Sequence, residues 1–357
     1  MANIADVAIP STSTFNALTA DYTPRVLVDN IFVGTPMYNY MRRHMKAVGG
    51  KSWQPIVEYD NLSGAWYARG GTQALSASGD IATRAAFTMK FYALPVYLYA
   101  QDTDLGAGES LVDFMGAYVK NALNSIKKDL NEAFFEGDPT ATPAELDSLN
   151  LACDDTADWG GLDVATYSTW KAHVMEGEST FTTPVSPTLN NIGKMVRTIT
   201  TTTGEKPDMI VVDEDLWDVL FAQYTASVTV MDQVSRKDPV ARWGFEAIYV
   251  HGVPIVTDRD MINPGAWVSA GTRTLAKGSQ VMFLNWNHLN LAYNAKRAFK
   301  WDPDGWRRPD TVDSYFNRIY FWGVIGGDSR RTLGRIYNID VDQAEASWSL
   351  GTVDIPA

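Results

Sequence analysis

Apolar residues recur at Leu111, Met115, Tyr118, Ala122, Ile126 and Ala133, flanked by Val119, Leu123, Leu130 and Phe134. This spacing predicts one long amphipathic helix over 110–136, with Lys120, Asn124, Lys127, Lys128 and Asn131 on its polar side. Ser110 and Asp113 resemble a capping box, and Gly137-Asp138-Pro139 is a stop signal. A helix of about 26 residues is roughly 39 Å long and needs a correspondingly long surface to cover its stripe.

The flanking pattern differs. Residues 1–30 are polar, Thr/Ser-rich and weakly periodic, and read as an extended arm or a disordered tail. A short helix is expected over 30–47, with Met37, Tyr40, Met41 and Met45 on one face. About 50 residues without helical period follow. Ser52–Tyr59 alternates, Ala65–Arg69 reads as a short strand, and 70–80 is loop-like. From Arg84 the chain is extended, with Phe87, Met89, Phe91, Ala93, Pro95, Tyr97 and Tyr99 on one face and apolar Tyr92, Leu94, Val96 and Leu98 opposite. That is the pattern of a projecting hairpin covered on one side along its far half and on both along its near half.

Further on, 140–183 is acidic and loop-rich, with Trp159 and Trp170 as anchors. A helix over 187–201 presents Leu189, Ile192, Met195, Val196 and Ile199, and a second follows Asp213. Strands are expected at 209–212, 247–250 and 253–257 (a hairpin about His251-Gly252), 281–284 and 289–293. A last strand pair is expected at 314–323 and 331–338. The fold class is therefore α+β.

Composition narrows the function. The 357 residues carry a formal charge of −12, which argues against direct condensation of nucleic acid. The 12 tryptophans favour large buried surfaces or interfaces. No apolar run is long enough to span a bilayer, and the opening MANIADVAIPSTSTF lacks the order of a secretory leader, so none is expected.

Catalytic signatures are sparse. His44, His173, His251 and His288 stand in unrelated segments and read as structural or surface residues. The single Cys153 excludes an intrachain disulfide and a thiolate zinc site, and suits a reducing compartment. Gly106-Ala107-Gly108 stands where a dinucleotide fingerprint would, but Leu111 replaces the third glycine, so it reads as a tight turn. Asn338, Asp340 and Asp342 alternate as calcium ligands could, yet lack the glycine and closing Glu of a calcium loop. Other acidic groups, Asp258/Asp260 among them, are not picked out as a catalytic pair. No catalytic, cofactor-binding or metal-binding residue is assigned, and no cofactor is expected.

The order of elements then carries a resemblance. A polar arm, a long hairpin and a long helix are followed by PDMIVVDEDLWDVL, HGVPIVTDRDM, QVMFLNWNHLNLAYNAKRAF and SYFNRIYFWGVIGGDSRRTLGRIYNI. This succession resembles the major capsid proteins of tailed bacteriophages with the Hong Kong 97 fold, over nearly the whole chain. The resemblance implies an N-arm (1–48), an E-loop with its strand base (49–100), and a peripheral P domain (101–184) with spine helix 110–136. It implies an axial A domain (185–279) and a return to the P-domain sheet with the C-terminal tail (280–357).

It also implies a non-enzymatic subunit that self-assembles into hexamers and pentamers of an icosahedral shell around double-stranded DNA. Such a shell is assembled in the host cytoplasm and located in the virion. Scaffolding and portal proteins would be separate, with room for a decoration protein; no membrane is involved. Trp66, Tyr67, Arg69, Arg84 and Phe87 of the E-loop would lie on a neighbouring subunit, and Lys120, Lys127 and Lys128 would line the outer face of the spine helix. An encapsulin-type nanocompartment shell is the alternative on the same fold. A carbohydrate-active enzyme built on Trp and Asp/Glu is the alternative from another class.

Overall fold

A computed structural model describes residues 36–60, 66–71, 80–100, 114–139, 142–176, 188–227, 248–261, 279–309, 312–339 and 352–354. The arm, the helix start at 110–113, the Gly106–Gly108 turn and Asp340/Asp342 lie outside them. Contacts divide the chain into two units. One combines 91–129 with 296–321; the other combines 34–90, 130–295 and 322–357, counting described residues only.

The larger unit is built on a seven-stranded sheet of order β15-β7-β14-β11-β8-β10-β9. Its strands are β7 (His173–Glu176), β8 (Met209–Val212), β9 (Ile248–Val250), β10 (Val253–Thr257), β11 (Ser279–Leu284), β14 (Gly334–Ile339) and β15 (Thr352–Asp354). Every residue of β8 and β11 is buried, the mark of central strands covered on both faces. The β9–β10 hairpin turns through two left-handed residues, His251 (φ 50°) and Gly252 (φ 81°), the conformation a two-residue hairpin loop requires.

After the short helix α3 (Leu149–Ala152), helix α4 (Leu189–Thr203) is capped by the Thr188 side chain and closed by left-handed Gly204. Its Ile192, Met195, Val196 and Ile199 pack with Ile210, Val212, Ile255, Phe283 and Ile336. Each such side chain contributes roughly 1.5–3 kcal/mol of burial. That offsets the weak helix propensity of its Thr-rich end, where Thr198, Thr200, Thr202 and Thr203 donate to carbonyls one turn back. Helix α5 (Glu214–Ser227) adds Leu216 and Leu220 to the same core.

A second sheet has order β1-β12-β13-β6, from β1 (Met45–Ala47), β6 (Lys90–Tyr99), β12 (Leu289–Trp301) and β13 (Ser314–Gly327). In the smaller unit, Val96, Ala122, Ile126 and Ile319 form a core against Tyr92, Leu94, Phe299, Trp301 and Trp306. The Tyr92 hydroxyl donates to the Asp129 carboxylate; burial first, then that bond, raise its pKa.

Several expectations are corrected. The first helix, α1 (Pro36–Arg43), stops before Met45, and 45–47 instead pair in parallel with β12. Residues 66–69 form no strand. The expected last strand pair does not form, because β13 and β14 belong to different sheets and β14 pairs with β11 and β7. Alternation shows that a segment is a strand, not which strand it joins.

On β6 the buried face changes over. Phe87 and Met89 are buried, but beyond Lys90 the even positions turn inward, leaving Phe91, Ala93, Pro95 and Tyr97 exposed. The chain leaves regular pairing at Met89, whose amide donates to Lys51, and this irregularity resets the alternation.

Helix α2 (Phe114–Glu136) is the expected long helix. Its buried positions Ala122, Ile126, Leu130 and Phe134 recur every four residues, so the covered face rotates by about 40° per step. Leu123 is thereby left 38% exposed, and Asn131, assigned to the polar side, is fully buried.

Candidate functional site

The hairpin residues are rooted by an aromatic chain. Strand β2 (Ser52–Trp53) pairs with β5 (Phe87–Thr88). Trp53 stands 5.7 Å from Phe87, Phe87 4.9 Å from Trp159, and Trp159 5.7 Å from Trp170. A Cβ on Gly160 (φ 63°) would lie 2.7 Å from the Phe87 ring, and one on Gly326 2.8 Å from it. Phe87 is therefore a core residue at 1% exposure, not the expected inter-subunit contact.

Beyond this root, β3 (Ile56–Glu58) and β4 (Ala82–Arg84) form a two-stranded ribbon. Val57 is its buried anchor, while Ile56 and Arg84 are exposed. The Tyr59 ring meets Tyr167 edge-on at 4.9 Å, and Thr169 donates to the Tyr59 carbonyl. Past the ribbon, Trp66 is wholly exposed and Tyr67 is 65% exposed, next to Arg69 at the Gly70 turn. A tryptophan left in water forfeits the burial that makes it useful.

On α2, Lys120 and Lys128 are exposed and Lys127 is half-buried. No ion pair or hydrogen bond engages them among the described residues.

One polar junction was not anticipated. Asp258, following β10, is 1% exposed and accepts the amides of Met37 (2.9 Å) and Asp260 (3.0 Å). Asn131 of α2 donates to Asp258 (3.0 Å) and Asp260 (2.7 Å), and its carbonyl accepts the Tyr38 amide (2.8 Å). The first free amides of α1 are thus satisfied by one carboxylate and one carboxamide. Burial pushes Asp258 up to about 6, against the pull of its donors. Asn at a helical position followed 127 residues later by Asp-x-Asp carries no sequence signal.

A second hub is Arg330. It is fully buried and donates to the carbonyls of Leu151 (2.6 Å), Ala157 (2.7 Å) and Ala152 (3.0 Å). Burial pushes its pKa down to about 10, against nearby Asp154.

The chemistry these groups offer is that of packing and charge. Trp53, Trp159 and Trp170, which a sugar platform would need at a surface, are core residues. Among the described residues no three His, Cys, Asp or Glu side chains group as metal ligands. A cleft of about 440 Å³ includes Lys90, Asp147 and Asp158. Burial pushes Asp147 up to about 6, opposed by Lys90, whose ammonium donates to the Pro143 carbonyl. Among the described residues no helix is long and apolar enough to cross a membrane.

No family model and no curated protein matches the sequence. Solved structures match over almost the whole fold. The capsid asymmetric unit of cyanophage A-1(L) is 15% identical, with TM-score 0.65, covering 92% of this chain and 99% of that one. The capsid of cyanophage P-SCSP1u is 13% identical (TM-score 0.56; 90% and 93% covered). The SrpI encapsulin complex of Synechococcus elongatus is 10% identical (TM-score 0.58; 96% and 100% covered). The architecture common to these shell proteins is also that of this chain: a mixed helix–strand fold of the Hong Kong 97 type.

Proposed function

We propose that this Hong Kong 97-type chain is the major capsid protein of a tailed bacteriophage. It is a structural subunit that forms hexamers and pentamers of an icosahedral shell enclosing double-stranded DNA, in the virion, after assembly in the host cytoplasm. The observation that carries the reading is the match to a phage capsid subunit across 92% of this chain and 99% of the other, which leaves little of either for another role. The exposed Trp66 and Tyr67 support it, since a neighbouring subunit is the surface that would cover them. So does the −12 charge: a shell filled by a motor needs no attraction between wall and DNA.

In this reading, 1–48 is the N-arm, 49–100 the E-loop with its base, 101–184 the P domain with the spine helix, 185–279 the A domain, and 280–357 the return to the P-domain sheet with the C-terminal tail. Scaffolding and portal proteins are separate partners.

A nanocompartment shell is the second reading, favoured by the match to an encapsulin over all of that chain. Electron microscopy of the purified protein tests both: closed shells are expected, and a homogeneous monomer at high concentration would refute both. Nuclease-protected DNA inside native shells selects the first; a packed protein cargo selects the second.

A further inference from the structure

We propose that the lysine face of α2 docks onto the acidic 138–163 surface of a second copy of this chain. The inference rests on the shell reading and names one contact within it.

Lys120, Asn124, Lys127 and Lys128 are spaced i, i+4, i+7 and i+8, so they share one face of the helix. That face gathers three ammonium groups without a described counter-charge. Asp129, the next acid along, is turned to the Tyr92 hydroxyl. Glu132 stands one turn beyond Lys128 without an ion pair to it among the described residues, so in a protein of net charge −12 three lysines gathered on one face are a specific feature rather than a general bias.

The complementary surface lies in the same sequence. Between 138 and 163 stand Asp138, Glu145, Asp147, Asp154, Asp155, Asp158 and Asp163, and no Lys or Arg. Among the described residues, the one cation placed against this segment in the cleft is Lys90, which donates to the Pro143 carbonyl beside Asp147, so the surface stays acidic on balance. Part of this charge acts inward: Asp154, Asp155 and Asp158 all bear on the buried Arg330 guanidinium. Glu145, Asp158 and Asp163 nonetheless present exposed side chains.

Each of these three is already held in place. Glu145 accepts the Asp138 amide, Asp158 the Val164 amide, and Asp163 the Ala165 amide and the Thr166 hydroxyl. Such donors order a carboxylate without neutralising it, so little side-chain freedom remains to be lost on docking. A cationic face on one part of a subunit and a fixed anionic face on another make a heterologous, head-to-tail contact. Repeated with rotation, such a contact closes into a ring. Nucleic acid is the less favoured occupant, because the remainder of a −12 subunit repels phosphate.

The test uses the full-length protein and four variants. K120E/K127E/K128E reverses one face. E145Q/D158N/D163N removes charge from the other while keeping the local acceptors, and E145K/D158K/D163K reverses it. K120Q/K127Q/K128Q is the milder control should the first reversal not fold. Shell yield is read by sedimentation and microscopy, and folding by thermal melting.

At about 150 mM salt, each folded variant should lose roughly tenfold or more in shell yield. Mixing the two charge-reversed variants should restore shells. Wild-type assembly should slow as salt rises. Wild-type yield from a lysine variant would overturn the contact, including a result in which only the nucleic-acid content of the shells falls. So would failure of the mixed reversals when both are folded. Absence of shells from the wild type would instead refute the shell reading itself.

Discussion

Asn131 and Asp258, 127 residues apart in sequence, meet at 3.0 Å through a buried carboxamide–carboxylate hydrogen bond. The same carboxamide binds Asp260 and receives Tyr38, while Asp258 receives Met37. One residue of the long helix thereby ties the start of α1 to the turn that follows β10.

Asn131→Ala should therefore cost far more than an ordinary helix substitution. It strips a donor from the buried Asp258 carboxylate and leaves the Tyr38 amide without its acceptor. A loss of about 3 kcal/mol is expected by denaturant unfolding of the subunit. Lys128→Ala, on an exposed site of the same helix, should stay within about 0.5 kcal/mol. Equal effects would show that the junction contributes no more than surface.

Leu123 and Ile126 offer a sharper contrast. Both belong to the apolar stripe of the sequence, yet Leu123 is 38% exposed and Ile126 only 1%. Leu123→Asp should leave the subunit soluble and folded. Ile126→Asp should abolish soluble expression, because an unpaired charge cannot be accommodated in that core.

Trp66→Ala with Tyr67→Ala should separate assembly from folding. Neither ring is buried in the subunit, so melting temperature should not change. In the shell reading, particle yield should collapse. Normal shells from this pair would remove the hairpin end from the interface.

Two deeply buried groups should contribute to acid stability with opposite sign. His173 lies fully buried on β7 with neither ring nitrogen partnered among the described residues, and burial, then Arg331, push it down to about 4. Unfolded, it titrates near 6.5. Its contribution is complete above that value and is lost as pH falls toward 4, by up to about 3 kcal/mol. Asp258, pushed up to about 6 from 3.8, does the reverse: the native state holds the proton more tightly, so stability rises as pH falls through 6. Unfolding free energies between pH 7 and 4 should thus fall less steeply for His173→Leu than for the wild type. For Asp258→Asn they should fall more steeply. Parallel profiles for all three would contradict both assignments.

The sequence by itself determined the elements whose partners lie within a few residues. The face of α4 with its Thr188 and Gly204 caps, the β9–β10 hairpin and the long helix follow from period, caps and turn residues, because those forces are local. The order of these elements was enough to bring the shell fold into view.

Only the tertiary structure decided which apolar positions are covered. Periodicity measures the potential of a face to be buried, and burial depends on surfaces far along the chain. Hence Phe87 went to the core while Trp66 stayed in water, Leu123 was left exposed and Asn131 enclosed, and β13 and β14 parted into different sheets. The Asn131–Asp258 junction and the carbonyl cage of Arg330 were illegible for the same reason. Their hydrogen bonds join segments separated by more than a hundred residues, and no local pattern records such a pairing.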